Sequence, residues 1–177
     1  LAQALHHARH RRAFGKRLAE HALMQNVLAD LAIEAEAALA LSLRVARAVD
    51  RAPTDTGEAA FARIATAIGK FWICKRTPAF VNEAQECLGG AGYVEESLLP
   101  RLYRQAPLNS IWEGSGNIQC LDVLRALQRE AGVREAFFAE LARARGAHAL
   151  LDAEAVALAQ ALDGAGEVLE PQARWLA

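Results

Sequence analysis

The sequence predicts an all-α fold, an antiparallel four-helix bundle that carries extra helices at its C-terminal end. Two observations support this fold class. Hydrophobic residues make up 53% of the 177 residues but aromatic residues only 6%, and most of the apolar residues are alanine and leucine, which favour helices over strands. Apolar residues also recur at spacings of three and four over long stretches, as they do on one face of a helix.

The chain begins with a short helix and continues into a long one. The pattern is helical from Ala2 to Arg12 and breaks at Gly15, since glycine is a common helix terminator. Small and apolar residues then recur at helical spacing over residues 23–49, with charged residues on the other faces. We predict one long amphipathic helix there.

A third helix follows a turn over residues 53–57, where Thr54 or Asp55 can cap its start. Its broad apolar face continues toward Leu88. Pro78 interrupts this stretch because it lacks the N–H for the helical hydrogen bond. We therefore expect a kink near residues 75–77 and no boundary between domains.

Proline and glycine also organise the middle of the chain. Pro100 and Pro107 indicate that residues 93–111 form a loop, with at most a short helix near Ser97 to Tyr103. Helical spacing resumes after Gly116, and Gly132 is predicted to end that helix.

Two further helices are predicted near the C-terminus, over residues 134–145 and 151–162, followed by an irregular glycine-rich tail. We expect residues 1–130 to form the helical bundle. Residues 131–177 are expected to be additional helices packed on the same domain.

Charge and hydropathy narrow the class of protein. Twenty basic and 21 acidic residues leave a net charge of -1, so the whole chain has no strong field to attract nucleic acid or an anionic membrane. No apolar run approaches the roughly 20 residues that span a bilayer, and the N-terminus lacks the pattern of a signal peptide. We expect a soluble cytoplasmic protein and, because Leu1 already lies within a helical pattern, a piece of a longer chain.

Three cysteines, Cys74, Cys87 and Cys120, lie far apart in the sequence. None has a second cysteine or a histidine at the spacing of metal ligands. We expect buried, reduced thiols and no metal site.

Three glycines within four positions follow the third helix, in the segment Glu86-Cys87-Leu88-Gly89-Gly90-Ala91-Gly92-Tyr93. Glycine lets the backbone take positive φ and approach a ligand closely, so the amides of this segment could meet a phosphate. The same glycines also fit an ordinary helix stop.

A second unusual segment is Asn109-Ser110-Ile111-Trp112-Glu113-Gly114-Ser115-Gly116-Asn117-Ile118-Gln119. Glu113 lies between an aromatic residue and a glycine, just before a helix that Ser115 can cap. Partly apolar surroundings beside Trp112 would favour proton uptake by this carboxylate and make it a usable general base. The alternative is an ordinary first-turn acid that interacts with the helix dipole.

Together these segments resemble the acyl-CoA dehydrogenase family. Residues 11–21 are similar to its Arg-x-x-Phe-Gly-Lys-x-Leu-x-Glu-His signature, residues 86–93 to its Gln-x-x-Gly-Gly-x-Gly-[Phe/Tyr] turn, and residues 111–118 to its Ile-Tyr-Glu-Gly-Thr-x-x-Ile segment. Residues 94–104 and 109–117 resemble in particular the adaptive-response branch, named for bacterial alkylation-response proteins. The likeness covers about residues 1–130 and implies the helical C-terminal domain of this family.

The resemblance implies an FAD-dependent α,β-dehydrogenation of an acyl-CoA substrate. Glu113 would remove the α-proton while the β-hydride passes to FAD, and Trp112 would lie beside the flavin ring. In this family one subunit's C-terminal domain completes the FAD site of its neighbour, so a homodimer or homotetramer is implied, and the chain alone would be inactive. The implied FAD contacts are Arg11, Phe14, Gly89, Gly90, Trp112, Ser115 and Asn117.

One departure from the family pattern is Glu86, which replaces the glutamine before the glycine turn. Its charge would repel a pyrophosphate if the side chain faced it. A second departure is Ala22, which stands where the family often has glutamine after its Glu-His pair.

Two alternative functions remain open from the sequence. The adaptive-response branch is associated with DNA binding, for which Arg125, Arg129 and Arg143 are candidate nucleic-acid contacts. These arginines alternate with acidic residues, a pattern typical of a solvated helix face. The other alternative is a module that serves only oligomerisation.

Overall fold

The computed structural model describes residues 1–164 and 169–177 and confirms the all-α class. Within these ranges, no helix is both long and apolar enough to cross a membrane. The elements, in chain order, are α1 (Ala2–His10), β1 (Arg12–Ala13), β2 (Lys16–Arg17), a 3-10 turn (Leu18–Glu20), α2 (Ala22–Arg51), α3 (Thr56–Glu86), α4 (Gly90–Tyr93), α5 (Leu99–Asn109), α6 (Gly116–Arg129), α7 (Val133–Ala142), α8 (Ala149–Gly164), a second 3-10 turn (Glu170–Gln172) and α9 (Ala173–Leu176).

A β-hairpin, and not a simple glycine stop, follows α1. Phe14 and Gly15 are the two central residues of its turn, with φ of 51° and 84°, and both values are positive as in a type I′ turn. Arg12 pairs with Arg17 and Ala13 with Lys16 in the antiparallel ladder. The helix predicted to reach Arg12 ends at His10, and the hairpin was not predicted, because two-residue strands leave no alternating hydrophobic pattern.

The two long helices lie where the sequence predicts them, while the kink near residues 75–77 stays a prediction. Asp55 caps α3, since its Oδ1 accepts hydrogen bonds from the backbone N–H groups of Gly57 at 2.9 Å and Glu58 at 3.1 Å. Helix α3 continues through Pro78 without a boundary. The hydroxyl of Thr77, the residue directly before the proline, donates to the carbonyl oxygen of Ile73 at 2.7 Å.

The predicted loop over residues 93–111 is wrong for most of its length, because α5 occupies Leu99–Asn109. Pro100 lies in the first turn of the helix, where the missing N–H would have no helical partner in any case. Pro107 lies in the last turn, and the helix ends two residues later. Pro100 therefore costs the helix no hydrogen bond, whereas Pro107 removes one helical hydrogen bond close to the C-terminal end.

The chain divides into two compact units. The first contains Leu1–Leu41 and Ile73–Trp112, and its core joins α1, α2 and α3 through Ala4, Ala8, Leu28, Leu31, Ala84 and Cys87. The second contains Ser42–Trp72 and Glu113–Ala177. Its largest fully buried side chains are Ile64, Val123 and Cys120.

The C-terminal helices pack within the second unit. Val133 of α7 is buried against Ile64 and Val123, and Phe137 and Leu162 cover the same cluster. Part of the predicted glycine-rich tail falls on residues 165–168, which lie outside the described residues. The prediction of an irregular tail is wrong for residues 169–177, where Leu169, Ala173 and Leu176 are buried against α6.

Two arginines of the second unit each bridge two carboxylates. Arg44 contacts Glu58 and Glu140, both at 2.7 Å, and its guanidinium lies 4.1 Å from the ring centroid of Phe61. These contacts connect α2, α3 and α7. A second set connects α3 to the C-terminal part of α6, because Arg63 contacts Asp122 at 2.7 Å and Glu130 at 2.8 Å.

The three cysteines are thiols and form no disulfide. Cys87 and Cys120 are buried, as predicted, whereas Cys74 is half-buried. Burial raises the pKa of the Cys87 thiol, with a further contribution from the charge of Glu83, so this side chain stays protonated and behaves as a small apolar group.

Candidate active site and cofactor contacts

Glu113 lies in the short segment of the second unit that precedes α6. Its side chain is exposed, and its φ of 52° places its backbone in the left-handed region. A non-glycine residue pays about 1–2 kcal/mol for this conformation. The expected apolar surroundings are therefore not supplied by burial within this chain, and the unusual feature of Glu113 is its backbone.

Two side chains hold the carbonyl groups of this segment. The ammonium Nζ of Lys70 donates to the carbonyl oxygen of Gly114 at 2.9 Å. The amide Nε2 of Gln119 donates to the carbonyl oxygens of Glu113 at 3.1 Å and Gly114 at 3.3 Å. Lys70 comes from α3 and Gln119 from the first turns of α6, so two helices of the second unit fix the peptide planes that follow Glu113.

Neither Lys70 nor Gln119 was predicted from the sequence as a site residue. The sequence signal for Lys70 is its place among apolar residues of α3, where a charged side chain is not expected to point into solvent. The glycine at position 114 is the corresponding feature for Gln119. The φ of Gly114 is 103°, and a Cβ there would lie 2.5 Å from Nε2 of Gln119. Only glycine fits that position without movement of the Gln119 side chain.

The start of α6 carries Ser115 and Asn117. Ser115 stands at the N-cap position, but its side chain makes no capping hydrogen bond, so the predicted capping role is wrong. The carbonyl Oδ1 of Asn117 accepts a hydrogen bond from Nε of Arg174 at 2.8 Å. The C-terminal helix α9 thus contacts a candidate cofactor residue, a connection that separation by 57 residues hides from sequence reasoning.

Arg11 and Phe14 lie close in sequence in the first unit. Arg11 follows α1 and is exposed, while its backbone carbonyl accepts a hydrogen bond from the N–H of Leu18 at 2.9 Å. The ring of Phe14 is 94% exposed at the hairpin tip. The imidazole of His21 meets this ring edge to face with 6.2 Å between centroids. The hairpin therefore presents an aromatic ring and a guanidinium to the surroundings.

The glycine turn of the first unit contains three glycines, two of which occupy positions that require glycine. Gly89 has a φ of 60°, and Gly92 is needed for packing, since a Cβ there would lie 2.4 Å from the carbonyl oxygen of Gln85. Neither condition applies to Gly90, where a Cβ would meet nothing within 4 Å. The surface above Gly89 and Gly90 is open, as a backbone contact with a ligand requires.

The first unit also contains Glu86, which departs from the family pattern, and Trp112, a candidate flavin contact. Glu86 is held along α3, because its Oε1 accepts a hydrogen bond from Nδ2 of Asn82 at 2.8 Å. Trp112 is 54% exposed, and its backbone N–H donates to the carbonyl oxygen of Leu108 at 3.1 Å.

The candidate nucleic-acid contacts all lie on exposed helix surfaces of the second unit. Arg125 contacts Asp122 and Arg143 contacts Glu140, each at 3.0 Å. Arg129 is exposed in the last turn of α6. Two of the three guanidinium groups therefore have a carboxylate beside them, which offsets their charge toward a polyanion.

Comparison with known proteins extends the resemblance. The sequence-family model described as acyl-CoA dehydrogenase, C-terminal domain, matches residues 1–128 of this chain. AidB of Escherichia coli strain K12 is 56% identical over 130 residues, which are 73% of this chain and 24% of AidB. The chain thus spans about a quarter of the length of that relative.

Two solved structures share the fold. The apo form of Bd2924 is 32% identical with a TM-score of 0.86, and the match covers 98% of this chain and 34% of Bd2924. ACDH-11 of Caenorhabditis elegans, solved in complex with C11-CoA, is 28% identical with a TM-score of 0.77, covering 91% of this chain and 28% of that protein. On the match to the family model over residues 1–128 and the 56% identity to AidB, the chain belongs to the acyl-CoA dehydrogenase family, whose C-terminal domain it represents.

Proposed function

We propose that this chain is the C-terminal domain of an FAD-dependent acyl-CoA dehydrogenase in which Glu113 is the catalytic base. The observation that carries the proposal is the Glu113 segment. An exposed carboxylate is held in a left-handed backbone conformation that costs free energy, and strained residues of this kind cluster at functional sites. The 56% identity to AidB, and the C11-CoA bound to ACDH-11, support an acyl-CoA substrate.

Glu113 removes the α-proton of the acyl thioester in the proposed reaction. The thioester carbonyl acidifies that proton, so a carboxylate placed near the α-carbon can accept it. FAD, when bound, accepts the hydride that leaves the β-carbon. Because Glu113 is exposed in this chain, the substrate and the rest of the complete protein would have to exclude water from its carboxylate.

The residues of the first unit fit a dinucleotide that carries phosphates. Arg11 offers an exposed guanidinium, whose forked donors suit phosphate oxygens. Phe14 offers an exposed aromatic face, and Gly89 and Gly90 leave their backbone open to contact. The carboxylate of Glu86 accepts a hydrogen bond from Asn82, so it can stay on α3 without facing a phosphate.

The residues at the start of α6 are further candidate contacts for FAD. Ser115 has a side chain that is not used in capping, and Asn117 keeps its amide NH₂ for a ligand while its carbonyl oxygen accepts from Arg174. In the proposed assembly, a homodimer or homotetramer, these contacts reach the FAD of a neighbouring subunit. Trp112 would lie beside the flavin ring.

We also propose that residues 131–177 are additional helices packed on the same domain as residues 1–130. The burial of Val133, Phe137 and Leu162 with Ile64 and Val123 supports it, since these side chains share one core cluster.

The test is an acyl-CoA panel assayed with the complete protein that contains this chain, and with its Glu113→Gln variant. Glutamine keeps the size of the side chain but cannot accept the proton, so the rate of flavin reduction should fall by about 10²- to 10⁴-fold. Glu154→Gln, which alters an exposed carboxylate of α8, is the matched control and should keep the wild-type rate. A Glu113→Gln variant as active as the control would refute the proposal.

A further inference from the structure

The conformation of Glu113 needs an external support. Its φ is 52° and that of Gly114 is 103°, and a glutamate does not select the left-handed region by itself. The cap of α6 does not provide the support, because the side chain of Ser115 makes no capping hydrogen bond. The support must therefore come from residues that contact the backbone of the segment.

Lys70 and Gln119 make those contacts. Their donors converge on the carbonyl oxygen of Gly114, at 2.9 Å from Nζ of Lys70 and 3.3 Å from Nε2 of Gln119, and the Gln119 amide also reaches the carbonyl oxygen of Glu113 at 3.1 Å. A carbonyl oxygen has two lone pairs and can accept both donors.

Fixing these two carbonyl groups fixes the direction in which the side chain of Glu113 leaves the backbone. Each carbonyl oxygen defines one peptide plane, and the planes on either side of Gly114 set the direction in which the chain leaves Glu113. That direction, together with the φ of 52°, determines where the Cα–Cβ bond of Glu113 points. Loss of either donor would release the peptide planes and let Glu113 relax toward a negative φ.

We infer that Lys70 and Gln119 are positioning residues that hold the carboxylate of Glu113 in line with the substrate through backbone carbonyls. The inference rests on the proposed role of Glu113 as base. Neither side chain touches the reacting atoms in this scheme, so each should act on the rate of the chemical step and leave substrate binding nearly unchanged.

The experiment compares Lys70→Met, Lys70→Arg and Gln119→Leu in the complete protein loaded with FAD. Methionine keeps the length of the lysine side chain and removes the donor, so the limiting rate of flavin reduction should fall by about 10- to 100-fold, as expected for a misplaced catalytic group. The apparent dissociation constant of the acyl-CoA should change by less than about threefold. Lys70→Arg restores a donor and should recover most of the rate.

Lys75→Met is the matched control, because Lys75 is an exposed lysine on the same helix. Crystal structures of the variants supply a readout independent of activity, and Glu113 should leave its positive φ in Lys70→Met. A wild-type rate in Lys70→Met and Gln119→Leu, or a loss of rate with φ unchanged, overturns the inference. If Lys70→Met fails to fold, Gln119→Leu decides alone.

The failure of the proposed function would look different. In that case Glu113→Gln keeps the wild-type rate, whereas the φ of Glu113 in the Lys70→Met structure still shows whether the lysine holds the segment.

Discussion

At the scale of single residues, backbone conformation marks the two motifs on which the functional argument depends. Phe14 and Glu113 are the non-glycine residues with positive φ in the described parts of the chain. Each is followed by a glycine that also has positive φ, Gly15 and Gly114. The residue types alone could point to the motifs, but not to the strain, because nothing in a phenylalanine or a glutamate codes for a left-handed backbone.

The glycine turn gives a residue-scale prediction. Gly92→Ala should lower the free energy of unfolding by about 1–3 kcal/mol, because the new Cβ would lie 2.4 Å from the backbone carbonyl oxygen of Gln85 and the helix would have to shift. Gly90→Ala, in the same short helix, is the control and should change stability by less than about 1 kcal/mol. Urea denaturation measures both, and equal effects would contradict the close packing at Gly92.

At the scale of elements, hydrophobic periodicity was sufficient for α2, α3, α6, α7 and α8, whose apolar faces are long enough to show a helical period. It failed where local geometry decides. The hairpin is too short for a strand pattern. Helix α5 contains Pro100 in its first turn, where proline costs little, and Pro107 in its last turn, where only one helical hydrogen bond is lost before the helix ends. The helix α9 is four residues long and depends on burial against α6.

The contacts of Arg44 with Glu58 and Glu140 predict how the stability of the fold depends on pH. The hydrogen bond from Arg44 holds the pKa of Glu140 below its usual value, and Arg143 acts in the same direction. Since the folded pKa lies below the unfolded one, this stabilisation is present above the unfolded pKa and is lost as pH falls through the folded pKa. Glu140→Gln should therefore lower the free energy of unfolding by about 1–2 kcal/mol at pH 7.

The difference between Glu140→Gln and wild type should shrink as pH falls below about 4.3, the ordinary pKa of an unfolded glutamate, and through the lower pKa of the folded carboxylate. Urea denaturation at several pH values checks it. Glu95→Gln is the control, since Glu95 makes a two-point contact with Arg104 but both side chains remain in water, and its effect should be smaller. A Glu140→Gln deficit that is independent of pH would contradict the ion-pair account.

At the scale of the whole molecule, the likeness to known proteins extends beyond the family model. That model ends at residue 128, whereas the match to Bd2924 covers 98% of this chain and therefore includes the C-terminal helices. Arg174 links this C-terminal part to Asn117 at the start of α6. The sequence motifs predicted the family and the candidate residues, but they could not predict contacts made by a segment that carries no family signature.

The central claim concerns the carboxylate of Glu113 in the assembled enzyme. A crystal structure of the complete protein with FAD and a non-oxidisable thioether analogue of an acyl-CoA tests it most directly. The account predicts a carboxylate oxygen of Glu113 about 3–3.5 Å from the α-carbon of the analogue, the separation of groups ready to react. A different carboxylate at that position, with Glu113 turned to solvent, would contradict the account.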